Sequence, residues 1–430
     1  MRRWRFKLLL LCIFSFIFLL LFFANKHQDN FTCKWPPKRP VSIPFKGTFD
    51  LTICVRSNGE VSKQPPPKYS LTKLFRIPKT EKKELVTFDD LANLPAEMWK
   101  KAKYPEIYWT YPQDVPLKSI VKRIKRGETV DHMPNYNFPI GVLKSSKSIC
   151  SGNKKHDLII VIKSAVLGWQ ARESFRTFMR IETQRHPDFK VGCVFSVGLP
   201  REKGGRLFNR DGHRFILKGS AGDLMEANVG KNEQVISNLS REIEQYDDIL
   251  LGNYEDTYFN LTWKTVTNLR WISAFCDKKR HHNFMLIDDD HRVNLSMVID
   301  FLKNTPQSAK RRSIFGYIVT TEEAGRDPTK KWFISRRELP WNKVHPFPNG
   351  FSQFIGADVV DDLAIGSAYT KHNYFPEDLY LGIMALKLNI PLRNEASMYS
   401  HYVYEYANPE KRPAMVAWQQ YFKINRHYYS

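Results

Sequence analysis

Asp288, Asp289 and Asp290 stand in a row directly after the apolar run Phe284-Met285-Leu286-Ile287. Three adjacent carboxylates repel one another and resist joint ionisation. A hard divalent cation relieves that repulsion, and oxygen ligation suits Mg²⁺ or Mn²⁺ with positions left for substrate phosphates. The end of an apolar strand is also where open α/β sheets bind ligands. The alternative is an acidic turn in solvent, since Asp is common in turns. A second acidic pair, Glu377-Asp378, follows Pro376 and precedes the helical spacing Leu379, Ile383 and Leu386. Carboxylates favour a helix start in any protein, and a rigidly placed carboxylate is also a good proton acceptor.

The elements expected to position these groups alternate. Residues 158–162 are a short apolar run of strand type, residues 173–181 a helix and 191–197 a second strand. Residues 233–246 put Val235, Leu239, Ile243 and Tyr246 on one helical face. Residues 248–251 read as a third strand, 261–276 as a long helix, and 284–287 as the strand that delivers the aspartates. Asn294 reads as the N-cap of the next helix. Such alternation predicts an α/β domain over residues 157–430, with a mainly parallel sheet flanked by helices.

The N-terminal part differs. Residues 8–24 are an apolar run rich in Leu and Phe, preceded by Arg2, Arg3, Arg5 and Lys7. Its length is at the short end of a membrane span. The basic flank predicts a cytosolic tail over 1–7, a transmembrane signal anchor over 8–24 and the remainder across the membrane. Bulky residues near Ala24 disfavour a cleavage site, and a short Phe-rich span suits a thin secretory-pathway membrane. Residues 25–150 carry Pro36-Pro37, Pro65-Pro66-Pro67 and many lysines, and read as a stem. Its later part, with Trp99, Tyr104, Tyr108, Trp109 and Tyr111, is aromatic enough to rest on the domain.

Five cysteines lie beyond the apolar run: Cys33, Cys54, Cys150, Cys193 and Cys276. An odd number in an oxidising lumen leaves at least one without an intrachain partner, and the connectivity is open. N-x-S/T sequons begin at Asn30, Asn238, Asn260 and Asn294. The formal net charge is +22. A luminal address argues against nucleic acid as the partner of so basic a chain, leaving a solvated basic surface or anionic substrates.

The motifs resemble those of the β-1,3-galactosyltransferase family of Golgi glycosyltransferases, which includes β-1,3-N-acetylglucosaminyltransferases and Fringe-like relatives. Residues 246–265, from Tyr246-Asp247-Asp248-Ile249 through Asp256-Thr257-Tyr258 to Asn260-Leu261-Thr262-Trp263-Lys264-Thr265, with Glu242 before them, resemble the family's E…Y-x-D-I-x-x-x-x-F-x-D-x-Y-x-N-L-T-x-K-T. Phe284 to Asn294 is similar to F-x-x-K-x-D-D-D-x-x-V-N, and Glu377 to Gly382 to E-D-V-Y-x-G. The resemblance spans about residues 157–425 and implies a GT-A-like nucleotide-sugar-binding fold. It implies Asp290 as direct metal ligand, Asp288 near the ribose, Asp289 in support, His401 completing the shell of a Mn²⁺ (or Mg²⁺), and Asp378 as catalytic base. Arg172 and Arg176 match an arginine pair. They are either diphosphate ligands, since a planar fork binds oxygens bidentately, or ion-pair partners of Asp248 and Glu242. Glu377, Glu242, Asp256, Tyr258 and Lys264 are expected to support the site or the rim of the sheet.

The implied activity is inverting transfer of a hexose, galactose by default, from a UDP-sugar to a glycan in β-1,3 linkage at the Golgi membrane. An N-acetylglucosaminyltransferase, or a catalytically silent glycan- or partner-binding protein on the same fold, is the alternative. A metal phosphoesterase, suggested by Asp290-His291, lacks the further His and Asp clusters of two-metal sites. The chain departs from the family at Leu286, at His291-Arg292, at Phe178-Met179-Arg180, and in residues 345–354, where a glycine-rich segment is reduced to Gly350.

Overall fold

The computed structural model describes residues 115–137, 140–150, 155–279, 283–320, 323–335, 338–339, 344–371, 376–398 and 416–419, with short strands at 41–42, 52–55, 75–76 and 85–86. Residues 8–24 and His401 lie outside these. Among the described residues no helix is long and apolar enough to cross a membrane.

Among the described residues, ten strands form the main sheet. Its four central members are the strands the apolar runs mark: β6 (Leu158–Lys163), β7 (Val191–Leu199), β10 (Ile249–Glu255) and β11 (Asn283–Asp288). They lie in the order β10-β7-β6-β11 and are parallel throughout. Residues 158–163 are buried along their whole length, as a strand covered on both faces must be.

Antiparallel pairings extend this core. β5 (Ile140–Lys144) joins β10, and β14 (Phe347–Gly356) joins β11, followed by β13 (Ile314–Val319). Beyond β5 lie β2 (Thr52–Val55) and β1 (Val41–Ser42), and beyond β13 lies β15 (Leu392–Asn394). The sheet is therefore mixed, with a parallel centre, and it includes strands N-terminal to residue 157. β3 (Phe75–Arg76) and β4 (Leu85–Val86) form a separate pair, as do β8 (Leu207–Arg210) and β9 (His213–Ile216). β12 (His291–Val293) pairs with β16 (Ala417–Gln419), so the stretch directly after the aspartates is closed by residues 417–419.

Helices cover both faces. α1 (Leu117–Lys125), α5 (Leu261–Phe275), α8 (Ala357–Gly366) and α9 (Glu377–Leu388) contribute to one apolar cluster. α2 (Trp169–Arg185), α4 (Asn232–Tyr246) and α6 (Leu295–Asn304) contribute to the other. α3 (Ser220–Ala227) follows the β8–β9 hairpin, and α7 (Gln307–Arg312) precedes β13. Asn294 caps α6, its Oδ1 accepting from Met297 N at 3.2 Å.

The order of strands places the site. From β6 the chain moves outward through β7 to β10, then returns to β11 on the other flank of β6. The winding thus reverses between β6 and β11, and ligands bind in the crevice at the carboxyl ends of such a pair. Lys163 and Asp288 end these two strands and stand side by side in the register.

Candidate active site

The aspartate run leaves the C-terminal end of β11 at that crevice. Asp288, Asp290 and His291 each offer a ligand atom, all within 4.8 Å of one another. Burial, only partly offset by Lys163, raises the pKa of Asp288. Burial and the neighbouring Asp290 push Asp289 up to about 6. Such mutual suppression of ionisation is what a bound cation relieves. His291, expected to mark a departure, sits within the cluster: its Nδ1 lies 2.6 Å from Asp290 Oδ1 and its ring stacks on Phe351. Its Nε2 is buried without a hydrogen-bond partner among the described residues. Two carboxylates and an imidazole suit Mn²⁺-like transition ions as well as hard cations. The residues present therefore fit a divalent metal.

Asp289 turns inward. Its Oδ2 accepts from Ser164 Oγ at 2.6 Å, and Gly168 leaves the room, since a Cβ there would stand 3.2 Å from the same oxygen.

Lys163 joins the two acidic motifs and was not singled out from the sequence. Its buried ammonium lies 2.8 Å from Asp288 Oδ1 and 3.0 Å from Glu377 Oε1, and donates to Gly350 O at 2.7 Å. Burial opposes its charge, but the two carboxylates outweigh that and raise its pKa. The signal was a single lysine ending a wholly apolar strand at its carboxyl end.

Glu377 and Asp378 open α9, as Pro376 predicts. Asp378 Oδ1 accepts from Leu379 N at 2.8 Å, and burial followed by repulsion from Glu377 pushes its carboxyl up to about 8. Behind the helix start His345 is held neutral, its pKa lowered to about 4 by burial, and Nε2 lies 2.6 Å from Leu379 O. Gly350, the glycine kept in the altered segment, passes against this pair: a Cβ would meet Glu377 Oε1 at 3.1 Å.

Arg172 and Arg176 take the ion-pair alternative. Arg172 donates to Glu242 through Nε at 2.8 Å and Nη2 at 2.6 Å. Arg176 spans Glu242 and Asp248, at 2.8 Å from each. Arg172 Nη1 also donates to Ala165 O and Ser164 Oγ, so the pair braces the loop that holds Asp289. Asp256 is buried, pairs with Lys264 at 2.8 Å and accepts from Gly198 N, while Lys264 donates to Ser164 O. These contacts tie β7, the turn after β10 and α5 to the loop that follows β6. A cleft of about 150 Å³ opens beside Asp288 and Lys163, with Arg201, Leu224, Val235 and Tyr258 among its walls.

Comparison with known proteins gives the same direction. Residues 227–396 match the galactosyltransferase family. Over 182 residues the chain is 31% identical to mouse (Mus musculus) and human (Homo sapiens) β-1,3-galactosyltransferase 1, covering 42% of this chain and 54% of each relative. It is 29% identical over 170 residues to β-1,3-galactosyltransferase brn of Drosophila melanogaster, covering 39% of this chain and 50% of that protein. The chain thus matches about half the length of these curated relatives.

Proposed function

We propose, from the premise that this chain carries a domain of the β-1,3-galactosyltransferase family, that it is an inverting, metal-dependent hexosyltransferase. The donor is a UDP-sugar, with galactose first and N-acetylglucosamine second, and the acceptor is a glycan hydroxyl. The observation that carries the reading is Lys163, which ties the metal-type cluster at Asp288 to the base-type pair at Glu377-Asp378 across one crevice.

Asp288 and Asp290, with His291 and the expected His401, would hold a Mn²⁺ or Mg²⁺. When bound, that ion offsets charge growing on the leaving diphosphate. The nucleotide occupies the cleft beside Asp288. An acceptor oxygen forms its bond to the anomeric carbon while the bond to the UDP oxygen breaks, its electron pair leaving with UDP. Asp378 accepts the acceptor's proton, a role worth roughly 10²–10⁴-fold. Glu377, fixed by Lys163, orients the turn that presents Asp378.

We place the protein in the Golgi membrane as a single-pass type II protein anchored by residues 8–24, with the catalytic domain in the lumen. The basic flank of that run and the disulfide between Cys150 and Cys276 support an oxidising compartment.

Calorimetry of the purified full chain should show UDP binding that requires Mn²⁺, and a panel of UDP-sugars should reveal one hydrolysed or transferred. Asp290→Ala should abolish the metal-dependent binding. Absence of such binding in the wild type would remove the enzyme reading and favour the silent glycan-binding protein.

A further inference from the structure

We propose that Trp332 is the platform on which the acceptor's hexose ring stacks, an inference that rests on the transferase reading above. Trp332 is 53% exposed, while Phe333 and Ile334, which follow it, are buried. A lone exposed apolar side chain needs no explanation by itself; what sets this one apart is its neighbour Lys331, whose ammonium also faces Tyr258 in the cleft wall.

The mount is rigid. Arg210 donates to Phe333 O at 2.7 Å and pairs with Glu338 at 2.6 Å. His213 packs edge-on against Phe333, and Arg326 donates to Ile334 O and Leu339 O. The β8–β9 hairpin and Arg326 therefore fix the backbone at Phe333 and Ile334, directly after the indole. The Lys331 ammonium lies 4.4 Å from the Trp332 ring centroid and 5.4 Å from that of Tyr258.

Tyr258 connects the platform to the chemistry. Tyr258 lines the cleft beside Asp288, and the Lys331 ammonium faces both its ring and that of Trp332. Burial, then the charges of Glu377 and Asp378, raise its pKa. A pyranose has one face of C–H groups and an edge of hydroxyls. An indole covers the first and leaves the second free to approach a carboxylate. The donor sugar is bound to a diphosphate held at the aspartate cluster. Trp332 is exposed and is not among the residues lining the cleft, so the ring it suits is the one arriving from solution.

Saturation-transfer NMR of the purified full chain with methyl β-galactopyranoside and methyl N-acetyl-β-glucosaminide tests this directly. The wild type should bind one of them, Trp332→Ala should weaken that binding roughly ten- to thirtyfold, as withdrawal of one aromatic contact from water implies, and Trp332→Phe should retain most of it. Mn²⁺-dependent UDP binding by calorimetry should be the same in all three. Glycoside binding unchanged in Trp332→Ala, or absent from the wild type, overturns the platform. Loss of UDP binding in Trp332→Ala also overturns it, because the residue would then serve the donor. A wild type that binds glycoside through Trp332 but no UDP leaves the platform standing and removes the transferase reading alone.

Discussion

Asp378 faces opposing demands: burial beside Glu377 favours its protonated form, whereas a base must be ionised. With a carboxyl pushed up to about 8, kcat/KM should climb as pH rises from about 6 toward 8, and a flat profile would remove Asp378 as the base. The same shift affects folding. Above its ordinary value near 4 the unfolded chain has lost this proton, while the folded chain keeps it until about 8. Stability therefore falls as pH rises through that window. Asp378→Asn should abolish turnover, keep UDP binding, and show a Tm advantage over the wild type that is larger at pH 8 than at pH 5. Parallel Tm curves would contradict the shift. At this scale the sequence disclosed residue types at motif positions: Asp288, Asp290 and Asp378 do converge on one crevice. It could not disclose Lys163 or the place of His291, because both acquire their roles from strand register and turn geometry between distant segments. Nor could it decide between diphosphate and carboxylate as the partner of Arg172 and Arg176, since either anion satisfies a guanidinium.

At the scale of elements, the site is the meeting of three chain ends: the finish of β6, the finish of β11 and the start of α9. β14 runs past all three, and its Gly350 supplies the carbonyl that Lys163 holds and the space that Glu377 needs. A methyl there would press on Glu377 and displace the turn bearing Asp378, and a misplacement of about 1 Å can cost 10²-fold in rate. Gly350→Ala should thus lower kcat by at least tenfold while Tm changes little, and equal loss of both would show that the glycine serves only the fold. The central strands were legible because a strand buried on both faces must be apolar along its length. α5 was legible from its length and apolar content, and α9 from Pro376 followed by two acids. β5 was less so: its Gly141 and its position among polar, proline-rich surroundings hide a strand whose place is fixed by pairing with β10.

For the whole molecule, the disulfide between Cys150 and Cys276 ties the segment after β5 to the end of α5, closing a loop of sequence separation 126. Restricting a loop of that size in the unfolded chain is worth about 5 kcal/mol in the chain-entropy view. Cys276→Ser should lower stability by roughly that amount and, unlike changes at the crevice, leave UDP affinity in the folded fraction intact; denaturant unfolding and calorimetry separate the two. The pairing was closed to sequence reasoning, since five cysteines permit many connectivities and only the fold brings two together. Cys193, partly buried on β7 with its thiol pushed up to about 12, remains free. The pairing of β12 with β16 carries a different consequence. His291 lies opposite Gln419 in that ladder, so the turn bearing the aspartates is framed by residues made some 130 positions later. During synthesis the central strands can assemble as they emerge, but this frame must wait until residues 417–419 have left the ribosome. A nascent chain would then own its central scaffold before the frame around its aspartate turn.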